Sequence, residues 1–515
     1  MADFPWLTVI GLVPLAGSLV IAALPTGRDE LAKRVALAFS VLTLALVIVM
    51  SAGFDPGADA VFQFTEVYPW IPAFGVSYAV GVDGIALVLI ALTAVLTPVC
   101  VLASWHDADP AAQSARSPRP VKTFFALLLV LETLIIGTFA AIDVFLFYVF
   151  FEAVLIPIYF IIGSYGGPKG SYAAVKFLIY SLLGGLLMLA ALVGVGIASP
   201  GGEQAFLFEN LVGLDLNPNA ERIMFLGFFS AFAIKAPLWP MHTWLPDAAA
   251  QSPPGGAVLL VGVLDKIGTF GMIRLCLPLF PDASRFFTPL IIVACLVGII
   301  YGALVAIGQT DIMRLIAYTS ISHFGFITLG IFAMTSQGQT GATLYMVNHG
   351  FSTAGLFLIA GFLTRRRGSH LIADYGGVQK VAPVLAGAFL VAGLSSLALP
   401  GLSSFVSEFL VLVGTYTRYP VAAVIATVGI VLASVYILWM YQRMMHGPVK
   451  EGNEGFADLS VREVVVMAPV LAIIVVLGFY PKPVLDVITP AVDVTMTTIG
   501  ERDPAPLVST ADGAP

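Results

Sequence analysis

The sequence predicts an all-α polytopic membrane protein of about fourteen transmembrane helices, and three observations carry that expectation. Hydrophobic residues make up 59% of the 515 and charged residues only 11%, where soluble domains carry about 25% charged. Apolar runs close to the 20 residues needed to cross a bilayer fall near 5–24, 35–52, 83–104, 121–140, 142–163, 172–198, 221–240, 256–277, 286–307, 311–333, 340–363, 383–413, 421–442 and 463–480. The basic residues are unevenly placed about these runs. Of 24 Lys and Arg, sixteen follow odd-numbered spans, six follow even-numbered ones, and two, Lys235 and Lys266, lie inside spans. The positive-inside rule then puts both termini on the outer side.

Taken in order, MADFPWLTVIGLVPLAGSLVIAALP lacks the basic start and small-residue cleavage site of a signal peptide and reads as a retained first helix. Residues 53–82 alternate and are rich in aromatics, which predicts a hairpin over the outer face. Residues 199–220 are acidic and carry Pro and Gly, as a solvated loop does. Beyond Lys482 no further span appears, and the last dozen residues have the composition of a disordered tail. Cys100, Cys276 and Cys295 stand singly in apolar runs, as small apolar residues do. No CxxC or Cys/His cluster calls for a metal or an iron–sulfur centre. The net charge of −7 gives no basic face for nucleic acid. Asp143 and Asp311 fall at span starts, where an acid favours the helix N-terminus, and Arg274 and Arg314 fall near enough to span ends to snorkel.

The chemistry gathers in Phe232 to Arg274, FAIKAPLWPMHTWLPDAAAQSPPGGAVLLVGVLDKIGTFGMIR. Lys235 and Lys266 stand in consecutive apolar runs, and Pro237, Pro240, Pro246, Pro253 and Pro254 punctuate the segment between them. A charge at the centre of a membrane helix costs roughly 2.5–3.5 kcal/mol. Broken backbone at membrane depth needs burial in protein or access to water. Further ionisable groups stand mid-span: Glu152 in the fifth, His323 in the tenth, His349 in the eleventh and Glu408 after the Leu399-Pro400-Gly401 break of the twelfth. Glu132 and Asp265 are also deep. Polar neighbours share their faces: Tyr345, Ser352 and Thr353 with His349, Thr319 and Ser320 with His323, and Ser404 with Glu408. A lone histidine in a membrane also serves as a helix–helix hydrogen bonder, and Glu152 with Lys235 also reads as a structural pair. A layer of Lys, Glu and His suits proton transfer, since a lysine removed from water yields its proton readily and a nearby carboxylate restores it.

The segments DVFLFYVFFEAVLIPIYFIIGSYG (143–166) and AFAIKAPLWPMHTWLPDAAAQSPPGGAVLLVGVLDKIGTFG (231–271) closely resemble the proton-pumping antiporter-like subunits of bacterial respiratory complex I, the M-type branch in particular. The likeness extends over essentially all of residues 1–480. It implies two inverted five-helix repeats, spans 4–8 and 9–13, with discontinuous helices 7 and 12. The corresponding divisions are 1–120 (three helices and the hairpin), 121–277, 278–445 and 446–515. The resemblance implies Glu152 and Lys235 as the ion pair of a first half-channel and Lys266 as the central relay. It further implies His323 and His349 along the axis, with Glu408, often lysine in the sister subunits, as the terminal carboxylate. His242 would lie at the inner end of the broken helix. Relatives commonly read LPDAH and LLK where this chain has Ala249 and Asp265.

The resemblance implies a chain with no cofactor of its own, with NADH, flavin, iron–sulfur clusters and quinone handled by partner subunits. Two further antiporter-like subunits would be neighbours in a bacterial inner membrane. Two other readings stay open: a subunit of a multisubunit Na⁺/H⁺ antiporter, and a haem or quinone protein using His323 and His349.

Overall fold

Twelve helices are long and apolar enough to cross a membrane in this computed structural model, which describes residues 4–58, 60–109 and 119–505. Arg116, one of the basic residues that follow odd-numbered spans, and residues 506–515 of the tail lie outside the described residues. The twelve match the predicted spans one to six, eight to eleven, thirteen and fourteen, with ends shifted by several residues. The seventh and twelfth are missing from that set because each is interrupted. The seventh runs Pro218–Lys235 and resumes at Leu245–Gln251. The twelfth runs Pro383–Ser396 and resumes at Ser403–Arg418.

Proline explains where the seventh span breaks. A proline has no N–H for the carbonyl four residues before it. Pro237 therefore leaves the Ala233 carbonyl open, and the Leu238 N–H fills it at 2.9 Å. That shift orphans the Ile234 carbonyl, which accepts from Trp244 Nε1 at 2.9 Å. The break is thus closed by the chain's own donors. In the twelfth span Pro400 plays the same part, and Ala398 (φ 60°) and Gly401 (φ 92°) turn the backbone through the left-handed region.

The helices that carry Lys266, His323 and His349 are among the most enclosed. The membrane-crossing stretches of the eighth and eleventh spans are buried throughout within the protein, and those of the third and tenth mostly so, whereas the first, second, sixth, thirteenth and fourteenth turn apolar side chains outward. The predicted hairpin forms as β1 (Gln63–Ile71) against β2 (Val76–Val82), antiparallel. Its buried Glu66 accepts from the Leu7 N–H at 2.9 Å and so holds the start of the first helix. Asp143 and Asp311 cap their helices as expected, each accepting a backbone N–H three residues on. The three cysteines are buried free thiols.

Two expectations change, and the tail adds a helix that is not a membrane span. Arg274 does not reach out to water: it is buried beside the Phe62, Phe208 and Phe270 rings and pairs with Asp83, which also caps the third span. A bidentate-capable cation beside a carboxylate is satisfied inside, so snorkelling gains nothing. Residues 199–220 are more than a solvated loop. Phe208 and Leu211 are buried in a short helix, Phe208–Leu211, and the Phe206 carbonyl accepts from the Val144 N–H at 2.8 Å. The tail folds as well: Lys482–Thr498 is an amphipathic helix burying Ile488, Val492 and Met496 against the third and eleventh spans.

Past that helix Glu501 accepts from Arg285 Nε at 2.7 Å and from Arg418 Nη1 at 2.6 Å. Burial pushes its carboxyl up, but the two arginines outweigh that and hold it below the usual glutamate range. A carboxyl depressed by folding adds stability above its unfolded pKa, and that stability is lost as pH falls through the folded pKa. Glu501→Gln is expected to cost about 1 kcal/mol at neutral pH, with the two proteins converging in acid. Thermal melts of the purified assembly at both pH values check it.

Candidate functional site

The eighth span is an irregular helix, and its irregularity surrounds Lys266. Wide π-turns at Leu260–Leu264 and Met272–Cys276 bracket the regular segment Lys266–Gly271; such turns recur at functional sites. Lys266 Nζ donates to the Val261 carbonyl in the first wide turn. It also donates to His349 Nδ1 on the eleventh span at 2.7 Å, with the Phe324 ring 5.1 Å away. Since Nδ1 accepts, a neutral His349 carries its own proton on Nε2, which has no hydrogen-bond partner among the described residues.

The string continues from there. The His349 and His323 rings meet edge to face at 5.2 Å, and His323 lies 5.8 Å from the Tyr345 ring. The Tyr345 hydroxyl donates to Glu408 Oε2 at 3.3 Å, and the Tyr436 hydroxyl is 3.5 Å from His323 Nε2. Glu408 is placed by the break. Asn348 Nδ2 donates to the Ser403 carbonyl at 2.7 Å and to Ser407 Oγ at 3.2 Å, which pins the resumed twelfth span to the eleventh. Lys266, His349, His323, Tyr345 and Glu408 thus line up across four helices, all fully or nearly fully buried.

The fifth and seventh spans make a separate group. Lys235 is buried and donates to the Phe151 carbonyl at 3.2 Å, with its ammonium 4.3 Å from the Phe151 ring. The expected contact ion pair with Glu152 is not made. Pro157 denies an N–H to the Ala153 carbonyl, and the helix is interrupted at Val154 between Val144–Ala153 and Leu155–Tyr165. The Phe151 carbonyl is what meets the lysine. Glu152 turns instead towards the sixth span, where even a methyl on Gly185 would overlap its carboxylate.

The remaining candidates stand apart from the string. His242 packs its ring on Tyr301 at 5.1 Å, and neither of its nitrogens has a partner among the described residues. Glu132 is 1% exposed and Asp265 fully buried, and both carboxylates lack hydrogen-bond partners. Nearby, Asp247 pairs with Lys176 at 2.7 Å and Arg314 at 2.6 Å, joining the sixth, seventh and tenth spans. Ala249 is buried and presents no polar atom there. Sequence reasoning missed Tyr436, because a single tyrosine in the apolar run IVLASVYILWM carries no periodic signal.

Groups that both give and take protons, held in sequence and shielded from solvent, can pass a proton along the row. Tyr345→Phe tests one link. Losing a hydrogen bond worth about 1 kcal/mol is expected to slow proton passage roughly fivefold with assembly kept, measured as pumping in reconstituted vesicles.

Comparisons with known proteins identify the family and the fold. The profile of the family described as NADH:quinone oxidoreductase/Mrp antiporter, transmembrane, matches residues 141–433. NADH-quinone oxidoreductase subunit M of Mycobacterium tuberculosis is 55% identical over 537 aligned positions, covering 99% of this chain and 97% of the relative. Among solved structures, a chain of respiratory complex I from Thermus thermophilus superposes with a TM-score of 0.86 at 30% identity, over 96% of this chain and 100% of that one. A chain of the Mrp complex from Dietzia shares the fold, with a TM-score of 0.84 at 20% identity over 96% and 98% of the two chains. The chain belongs to the NADH:quinone oxidoreductase/Mrp antiporter family, and its whole-length likeness is to the M subunits of NADH-quinone oxidoreductase.

Proposed function

We propose that this chain is the proton-translocating M-type subunit of the membrane arm of a bacterial NADH:quinone oxidoreductase. It moves protons through buried side chains and does no redox chemistry itself. The observation that carries the reading is the 2.7 Å contact between Lys266 and His349, continued through His323 and Tyr345 to Glu408. Glu152 and Lys235 form the other limb of the path, with His242 on its approach. Flavin, iron–sulfur clusters, NADH and quinone belong to partner subunits, and two further antiporter-like chains are the expected neighbours. The uneven placing of lysine and arginine in the loops supports termini on the outer side of the inner membrane.

The Na⁺/H⁺ antiporter reading is the alternative, supported by likeness of fold to the Mrp chain. Gentle purification of the native assembly tests the two. NADH oxidation coupled to quinone reduction, with flavin in the co-purifying chains, is expected. An assembly that exchanges Na⁺ for H⁺ without oxidising NADH would overturn the reading.

A further inference from the structure

The string leaves one interval without a described contact, that between Lys235 and Lys266. Asp265 directly precedes Lys266 on the eighth span. Its carboxylate is fully buried, and neither oxygen has a hydrogen-bond partner among the described residues. An isolated ionised group buried in protein costs several kcal/mol unless it is neutralised or works with a neighbouring charge. The two charges within electrostatic reach of Asp265 are Lys266 and, beyond it, Lys235.

Packing fixes which way Asp265 faces. Gly268 lies three residues on and shares its face of the helix. There the eighth span runs tight against the broken seventh: a methyl on Gly268 would stand 2.5 Å from the Phe232 carbonyl oxygen and 2.6 Å from the Ala236 nitrogen. The face bearing Asp265 is therefore turned to the residues flanking Lys235. The wide turn Leu260–Leu264, immediately before it, rotates the chain between the preceding helix and the Asp265–Lys266 step. Two neighbours that would diverge by about 100° on a helix thus serve two directions, Lys266 towards His349 and Asp265 towards the seventh span.

We infer that Asp265 is a proton-carrying station between Lys235 and Lys266, an inference that rests on the proton-translocating reading above. In the first step the Lys235 ammonium gives a proton to the Asp265 carboxylate, leaving a neutral amine and a neutral acid. In the second, the Asp265 acid gives that proton to the neutral amine of Lys266 and returns to carboxylate. Charge and protons balance at each step. The neutral acid is also the form that a partnerless buried site favours. The station is a feature of this chain's LDK sequence.

The test uses the intact complex in proteoliposomes, with proton pumping and NADH oxidation followed together. Asp265→Asn keeps the shape and removes the exchangeable acid, and Asp265→Leu suits the apolar surroundings. Both are expected to slow pumping on the order of tenfold or more, the lower range for a positioned proton carrier. Asp265→Glu is expected to restore at least half of it. Lys235→Ala is run beside them as the control for the underlying reading. Full pumping by Asp265→Asn or Asp265→Leu, while Lys235→Ala is inactive, overturns the Asp265 station and leaves the translocating function standing. Full pumping by an assembled Lys235→Ala complex overturns the function itself. Should the leucine variant fail to assemble, the Asn and Glu pair decides alone, since Asn keeps the volume of Asp and Glu keeps its acid.

Discussion

Lys266→Met in the assembled complex is expected to reduce proton pumping by about two orders of magnitude or more. Methionine matches the length and flexibility of the lysine stem and fills the same buried space, so packing is kept. What disappears is the donor to the Val261 carbonyl and to His349 Nδ1. His349 then has no neighbour from which to take a proton, and every group beyond it is isolated from the first limb. Losing the ammonium leaves the Val261 carbonyl and His349 Nδ1 without their donor, so a loss of about 1–3 kcal/mol in stability is expected. Parent-level subunit content, together with lost pumping, separates this outcome from failed assembly. Pumping at the parent rate would remove Lys266 from the path.

The second large effect concerns Glu152 and Lys235. Each single change, Glu152→Gln or Lys235→Ala, is expected to abolish most pumping. The double change is expected to cost little more than either, since both act on one step. The structure sharpens the reason. Lys235 is held on the Phe151 carbonyl, one residue from Glu152, rather than on the carboxylate itself. Glu152 and Lys235 thus make no contact ion pair in this state, yet each lies within the electrostatic influence of the other. Glu152→Asp keeps the charge but shortens the reach by one methylene, so partial activity is expected. Losses that simply add in the double variant would contradict a shared step.

Much of this arrangement is legible in the sequence. Composition and the placing of Lys and Arg give the class and the twelve continuous spans, because twenty apolar residues and loop charge are local properties. The breaks are also local: Pro237, Pro240 and Pro400 mark them through missing N–H groups. Lys235, Lys266, His323, His349 and Glu408 stand out because charge inside an apolar run is costly and therefore rare. Partner choice is not local. Nothing in the order of residues tells that Lys235 meets the Phe151 carbonyl or that Arg274 pairs with Asp83, 191 positions away. Tyr436 and the enclosing Phe324 belong to the same class, since their roles come from tertiary approach. The tail helix escaped notice because its apolar residues are interrupted by Asp486, Asp493 and several threonines and are too few for a membrane span.

The central claim is that this chain itself carries protons along the buried string ending at Glu408. Proton pumping by the reconstituted complex with Glu408→Gln tests it most directly, with NADH:quinone turnover and subunit content measured on the same preparation. Glutamine keeps the shape and a partner for the Tyr345 hydroxyl but cannot accept and release the proton at the end of the row. The account expects a fully assembled complex whose pumping falls to a small fraction of the parent's. An assembled complex that pumps at the parent rate would contradict it.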